Sequence, residues 1–427
     1  MRYPPLMKKI LSAIVAVILV VSVDFAAAAE SVSLQDLQER LARLEASAVD
    51  AAKPEKKAPA WYETISLRGY VQLRYNRLLE NNENLRCEQC DKSLGSNGGF
   101  FARRARLVLS GDVNERVYLY IQPDFATDSS ATALHFTQLR DLYADVALDA
   151  AKEFRFRVGQ SKIPYGFENL QSSQNRLALD RADPLNSAVS NERDLGVFFY
   201  WVPEEIRKRL SALVSSGLKG SGDYGVFGLG AYNGQTANRP EANASPHLVA
   251  RLAYPHKTDS GQFIEAGIQG YMGRFIIPST SRTAGVGGDF EFHDRRAAAS
   301  FVVYPQPFGF QAEYNFGVGP EFDAVTRSIQ PKHLKGGYVQ MMYLRRLGGQ
   351  VLTPFVRAQH YEGGKKHETD ARRYLVRQIE GGVEWQASKS LELTALYSHE
   401  DRAYEDMATR GNRQQGGRVR LQLQINY

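Results

Sequence analysis

From Trp61 to Tyr427 the chain alternates between apolar and polar side chains with a period of two, and arginine recurs on the polar side. In residues 417–427, Val419, Leu421, Leu423, Ile425 and Tyr427 fall on one face of a strand, with Arg418, Arg420, Gln422, Gln424 and Asn426 on the other. The reason is that successive strand side chains point to opposite faces. Ile65, Leu67, Val71, Leu73 and Tyr75 oppose Ser66, Arg68, Tyr70, Gln72 and Arg74 in the same way. Phe154, Phe156 and Val158 oppose Arg155 and Arg157, and Leu248, Ala250, Leu252 and Tyr254 oppose Arg251. Leu391, Leu393, Ala395 and Tyr397 oppose Glu392, Thr394 and Ser398, and Leu195, Val197, Phe199 and Trp201 share a further apolar face. So many amphipathic strands require a sandwich or a closed barrel.

The N-terminus decides between these. Arg2, Lys8 and Lys9 precede the apolar run 10–23, and Ala27, Ala28 and Ala29 offer a small-residue cleavage site before Glu30. That order predicts a secretory signal over residues 1–29; an uncleaved anchor is the alternative. No other long apolar segment follows, and the mean hydropathy of −0.38 excludes a helical membrane protein. Gly 36, Tyr 22 and Phe 21 suit a barrel with aromatic girdles. The expectation is therefore an all-β, transmembrane antiparallel barrel in a Gram-negative outer membrane, surrounded by its lipid. Turning the other face outward would put arginines in lipid, at about 2–4 kcal/mol each near the midplane, so Arg420 is expected to face the lumen. The aromatic terminus Tyr427 resembles the assembly signal of bacterial outer-membrane barrels, which implies the barrel-assembly machinery as a partner.

Tight connections are expected near residues 112–115, 149–152, 255–261, 304–307, 347–350 and 386–390, alternating with longer polar segments. Counting between them gives about sixteen strands, the even number of bacterial barrels. Residues 203–224 fit either a long turn or an extra hairpin, which would raise the count to about eighteen.

Ahead of the barrel, Leu34, Leu37, Leu41, Leu44 and Ala48 recur in threes and fours. This predicts a coiled-coil helix over residues 30–52, in the periplasm, that Ser33 can cap. A coil of about two heptads is marginal alone and becomes worthwhile in a homotrimer. Residues 53–60 read as a polar, proline-bearing linker, and residues 61–427 as the barrel.

Formal net charge is +6, and the signal accounts for +2 of it. The location of the basic residues therefore matters more than the total. Arg68, Arg74, Arg104, Arg106, Arg155, Arg157, Arg251, Arg357 and Arg420 are expected inside the barrel, where they would favour small anions. The alternative is that Asp145, Glu265, Glu380 and Glu384 pair with them and cancel the field. The longest unpatterned segment, residues 162–193, exceeds what a connection needs. Folded inward, it would narrow a pore and bring Lys162, Arg176 and Arg181 to it; as an external lid or a subunit-contact loop it would not.

Cys87 and Cys90 are the only cysteines and, in an exported chain, are expected to form a small disulfide. Asp91 stands where haem attachment would need histidine, and no further metal ligands lie nearby. No cofactor, metal or nucleic-acid partner is expected. The eight histidines are scattered without a nucleophile motif, so an enzyme is not expected.

Several elements together resemble the phosphate-selective porin O/P family. They are residues 159–166 (Gly-Gln-Ser-Lys-Ile-Pro-Tyr-Gly), 168–173, 193–196 (Arg-Asp-Leu-Gly), 101–107 and 232–234. The resemblance covers about Trp61 to Tyr427. It implies a sixteen-stranded trimeric porin with an inward third loop and an arginine-lined anion path, with Arg104, Arg106 and Lys162 near that path. It further implies phosphate or a related oxyanion as solute. Phosphate-specific members carry a lysine cluster at the constriction, whereas this loop has one lysine and several acids. A general-diffusion pore and a structural, envelope-tethering barrel remain the alternatives.

Overall fold

The computed structural model describes residues 34–51, 60–79, 99–127, 135–283, 286, 288 and 290–427. The chain divides into two units, residues 1–59 and 60–427. In the first, helix α1 (Leu34–Ala51) carries the heptad segment. Leu37, Leu41 and Leu44 are 56%, 59% and 67% exposed, so the apolar seam is uncovered in a single chain. The expected signal segment, Ser33, most of the linker, and Cys87 and Cys90 lie outside the described residues.

The second unit is one antiparallel sheet closed on itself. Its strands begin with β1 (Ser66–Leu78), β2 (Gly99–Asp112), β3 (Val117–Thr127), β4 (His135–Ala147), β5 (Phe154–Lys162) and β6 (Arg193–Trp201). Then follow β7 (Phe227–Tyr232), β8 (His247–Lys257), β9 (Phe263–Ile276), β10 (Glu291–Val303) and β11 (Phe308–Asp323). The last are β12 (Ser328–Tyr343), β13 (Gln350–Gly364), β14 (Arg373–Gln386), β15 (Leu391–Glu405) and β16 (Asn412–Asn426). The short segment Arg345–Leu347 pairs with β13, as β12 does, and continues the same stave. Each strand hydrogen-bonds to its neighbours in sequence, and β1 meets β16 with Leu73 opposite Leu423. The count is thus sixteen.

The barrel has the inverted burial its alternation requires. On β1, Gln72 and Arg74 are buried while Leu67 and Leu73 are exposed on the outer wall. On β15 the alternation begins at Leu391 and is strict as far as Glu400. Lipid takes the place of water around such a wall, so every backbone polar group must be paired within the sheet. A closed barrel achieves this without an edge.

One rim carries the expected tight turns, at residues 113–116, 148–153, 258–262, 304–307, 348–349 and 387–390. In outer-membrane barrels the short turns are periplasmic. Residues 202–226, between β6 and β7 on this rim, are the exception. They form a long turn with helix α2 (Glu204–Ser215), and no hairpin is added. The helix has an apolar stripe, with Ile206, Leu210 and Leu213 buried, as the i, i+4, i+7 spacing allows.

Candidate functional site

The lumen is furnished by two inserted segments, and the loop between β5 and β6, residues 163–192, is the larger. Gly166 adopts φ +86, a conformation open to glycine at little cost, and turns the chain into the short helix α3 (Phe167–Leu170). Wall residues seat this turn. Glu313 on β11 accepts the Phe167 N–H at 2.7 Å, while within the loop Glu168 accepts the Ala182 N–H at 2.8 Å. Arg74 donates to the Leu179 carbonyl and Arg357 to that of Asp180. Tyr165 packs edge-on against Tyr271 in an apolar cluster with Ile163 and Leu185. The loop therefore folds inward, as the first of the expected alternatives required.

The second segment rises from the tight-turn rim. Leu213 and Leu218 pack with Phe167, so the two insertions touch inside the barrel. Gln171 donates to the Lys219 carbonyl at 2.6 Å, and Lys219 pairs with Glu384 on the wall.

Beneath the loop lies a cavity of about 840 Å³, and a second lobe of about 520 Å³ adjoins it, sharing Arg68, Tyr120 and Gln122. Nine basic and four acidic side chains line the larger lobe. Arg106, Arg155, Arg157 and Lys162 are among them, together with Arg68. Arg104 and Arg106 share the inner face of β2, but Arg104 is set back, donating to Gln72 at 2.7 Å. The inward arginines of the wall do not all meet this loop. Arg106 reaches the loop at Ser173, whereas Arg155 pairs with Asp223 at 2.9 Å on the turn 202–226. A strand pattern shows that Arg155 faces inward, but not which insertion will meet it.

Ion pairing is widespread. Arg106 meets Asp124 at 2.7 Å, and Arg157 grips Asp145 with both prongs at 2.7 and 2.8 Å. Arg251 pairs with Glu265, Arg357 with Glu168 and Glu380, and Arg74 and Arg420 with Asp180. Three of the four acids expected to oppose the arginines thus do so, while Glu384 serves Lys219. Arg68 and Arg104 have no ion pair among the described residues.

Glu192 is the centre of the densest group. Arg181 Nε lies 3.0 Å from its carboxylate, Arg176 Nη1 3.6 Å, Lys162 Nζ 3.8 Å and Arg140 Nη2 3.9 Å, and Arg193 is in direct contact. Burial alone would raise the Glu192 pKa. Lys162, Arg181, Arg193 and Arg176 outweigh burial and hold it well below the usual carboxylate range. Five basic groups around one acid leave a positive surplus even with Asp141 bound to Arg193. Among the described residues, Arg176 Nε and Nη1, Arg140 Nε and Arg104 Nε donate to no protein atom although buried. Lys162 is differently employed. Its ammonium donates to the carbonyls of Asn169, Leu170 and Gln171, closing the C-terminal end of α3.

Sequence reasoning did not pick out Arg140. Period two counted back from Asp145 misses it, because β4 slips register opposite Gln122 and Pro123. It also passed over the tyrosines of the chamber, which the same parity rule on β3 and β4 could have found.

A family model described as phosphate-selective porin O and P matches residues 82–427. Comparison with curated protein sequences gives no match. Among solved structures, the outer membrane channel DcaP of Acinetobacter baumannii is 15% identical at TM-score 0.52, covering 85% of this chain and 97% of that one. Salmonella typhi OmpF in complex with daunomycin is 11% identical at TM-score 0.52, over 85% and 97%. The anion-selective porin from Comamonas acidovorans is 12% identical at TM-score 0.50, over 85% and 99%. Likenesses at this identity establish the fold.

Proposed function

This chain belongs to the phosphate-selective porin O and P family and is an outer-membrane porin, and from that premise we propose that it conducts small anions, with phosphate or a related oxyanion as solute. The observation that carries the reading is the excess of nine basic over four acidic side chains around the larger cavity. A single charge about 5 Å from an anion contributes on the order of 1 kcal/mol in water and about 3 kcal/mol at an effective dielectric of 20. Several together bias passage without excluding cations. Most of the luminal arginines are neutralised by partners and serve to hold the lumen's shape. The anion-selective neighbour from Comamonas acidovorans is compatible with this assignment.

The functional unit we propose is a homotrimer assembled through the barrel-assembly machinery after signal cleavage near Glu30. The uncovered leucine seam of α1, placed in the periplasm, would form the trimer's coil. Porins of this fold are channels, so no catalytic step is assigned.

The general-diffusion alternative has its own support in the extent of ion pairing. Planar-bilayer recording in potassium chloride, followed by addition of phosphate and then sulfate, separates the two. The proposal expects the chloride current to fall as oxyanion is added. A current insensitive to both, in a channel equally permeable to potassium and chloride, identifies a general pore.

A further inference from the structure

Tyr120 on β3 and Tyr143 on β4 are direct cross-strand partners, and both project into the chamber. Their rings stack with centroids 5.0 Å apart and planes 10° from parallel. The Arg157 guanidinium lies against Tyr143, 4.0 Å from its centroid, and is locked there by Asp145. At Tyr120 the arrangement differs. Arg68 stands off at 5.7 Å, is exposed, and has no ion pair among the described residues. Tyr120 and Arg68 sit at the seam where the two lobes meet, facing Gln174 of the in-folded loop.

An inorganic oxyanion has no use for a half-buried phenol ring, and it would occupy little of a space this large. A cavity within the about 300–1,000 Å³ range of small-molecule sites, offering at Arg68 a cation with no acidic partner among the described residues beside an aromatic surface, suits a different shape. We infer that the seam between the two lobes is a binding site for aromatic carboxylates, with the ring against Tyr120 and the carboxylate on Arg68. Tyr143 fixes the Tyr120 ring from behind, so the site is organised before a ligand arrives. Arg68 is held by no acid among the described residues and is exposed, so its guanidinium can turn toward a ligand. The inference rests on the anion-porin reading and adds to it a class of solute that the guanidinium groups alone do not select.

Block of the chloride current through the full-length channel tests it, with benzoate and acetate as probes that share a head group and differ by the ring. Benzoate is expected to block at a concentration about threefold to tenfold below acetate, the factor a single aromatic contact supplies. Tyr120→Ala should erase that difference, Tyr120→Phe should keep it, and Arg68→Gln should weaken both probes. Equal block by benzoate and acetate in the wild type overturns the inference, whatever the variants do. So does a ring preference that survives Tyr120→Ala. The zero-current potential in a chloride gradient, read in the same membranes, reports on anion preference separately. A cation-selective channel refutes the anion reading, while the benzoate-to-acetate ratio speaks only to Tyr120.

Discussion

Arg357 Nη1 lies 2.8 Å from Glu168 Oε1, so a guanidinium on the barrel wall holds the first turn of the in-folded loop. Both side chains are almost wholly buried, and removing one member of such a pair leaves the other uncompensated, at about 3–5 kcal/mol. Part of that cost is avoided here because Glu380 stands 3.5 Å from Arg357.

Glu168→Ala is therefore expected to loosen residues 163–192 while leaving the sheet intact. Single-channel current should become noisier and larger on average, and protease added from outside should cut within the loop. A variant with wild-type conductance and a protected loop would show that Glu313 and the apolar cluster around Tyr165 suffice as anchors.

Glu192→Gln removes the acid at the centre of five basic groups. Permeability to chloride relative to potassium should rise, and the barrel should lose its heat-modifiable form at a lower temperature. The native network should also resist mild acid. Because Glu192 is held below its ordinary value of 4.5 in the folded chain, its contribution is complete above that pH and is lost as pH falls through the depressed value. Loop protection measured by proteolysis should thus be the same at pH 7 and pH 5 and decline only below the ordinary carboxylate range. Loss between pH 7 and pH 5 would contradict the arrangement.

The barrel was legible in the sequence because membrane strands must alternate, and residues such as Arg155, Arg251 and Arg420 point inward by parity alone. The partners were less legible. Arg251 with Glu265 follows from adjacent strands, but Glu168 with Arg357 and Asp223 with Arg155 join the wall to inserted segments whose docking no periodicity encodes. Residues 202–226 show the same limit. Helix α2 has a helical stripe, yet nothing in a stripe says that Leu213 will meet Phe167 inside the barrel. Lys162 matched a family motif, and its place beside the path was expected, but its use as a clamp on three loop carbonyls is a tertiary fact.

Tyr427 closes the barrel. Its backbone exchanges hydrogen bonds with Gly69, and its hydroxyl donates to the Arg106 carbonyl at 3.1 Å. A side chain at Gly69 would collide with the Tyr427 ring. Deleting Tyr427, or replacing Gly69 with valine, should reduce the amount of heat-modifiable barrel in the outer membrane. Normal levels in both variants would show that closure does not depend on this contact.

Deleting residues 31–52 should abolish the coil proposed for α1 and leave the barrels associated, because in the proposed trimer the walls would supply most of the contact area. Mass determination in mild detergent checks this. A truncated chain found as monomers would make the helix the principal source of assembly, and a monomeric full-length chain would end the trimer proposal.

The zero-current potential across a salt gradient tests the central claim most directly. It should be read for the wild type and for the double variant Arg68→Gln, Arg104→Gln. Neither arginine has an ion pair among the described residues, so their neutralisation changes the field without orphaning a buried acid. The wild-type potential should have the sign of chloride preference and weaken as salt rises, since attraction is screened over about 8–10 Å at physiological salt, and the double variant should move toward cations. A wild-type potential of zero or of the cation-selective sign, in a correctly folded barrel, would contradict the account.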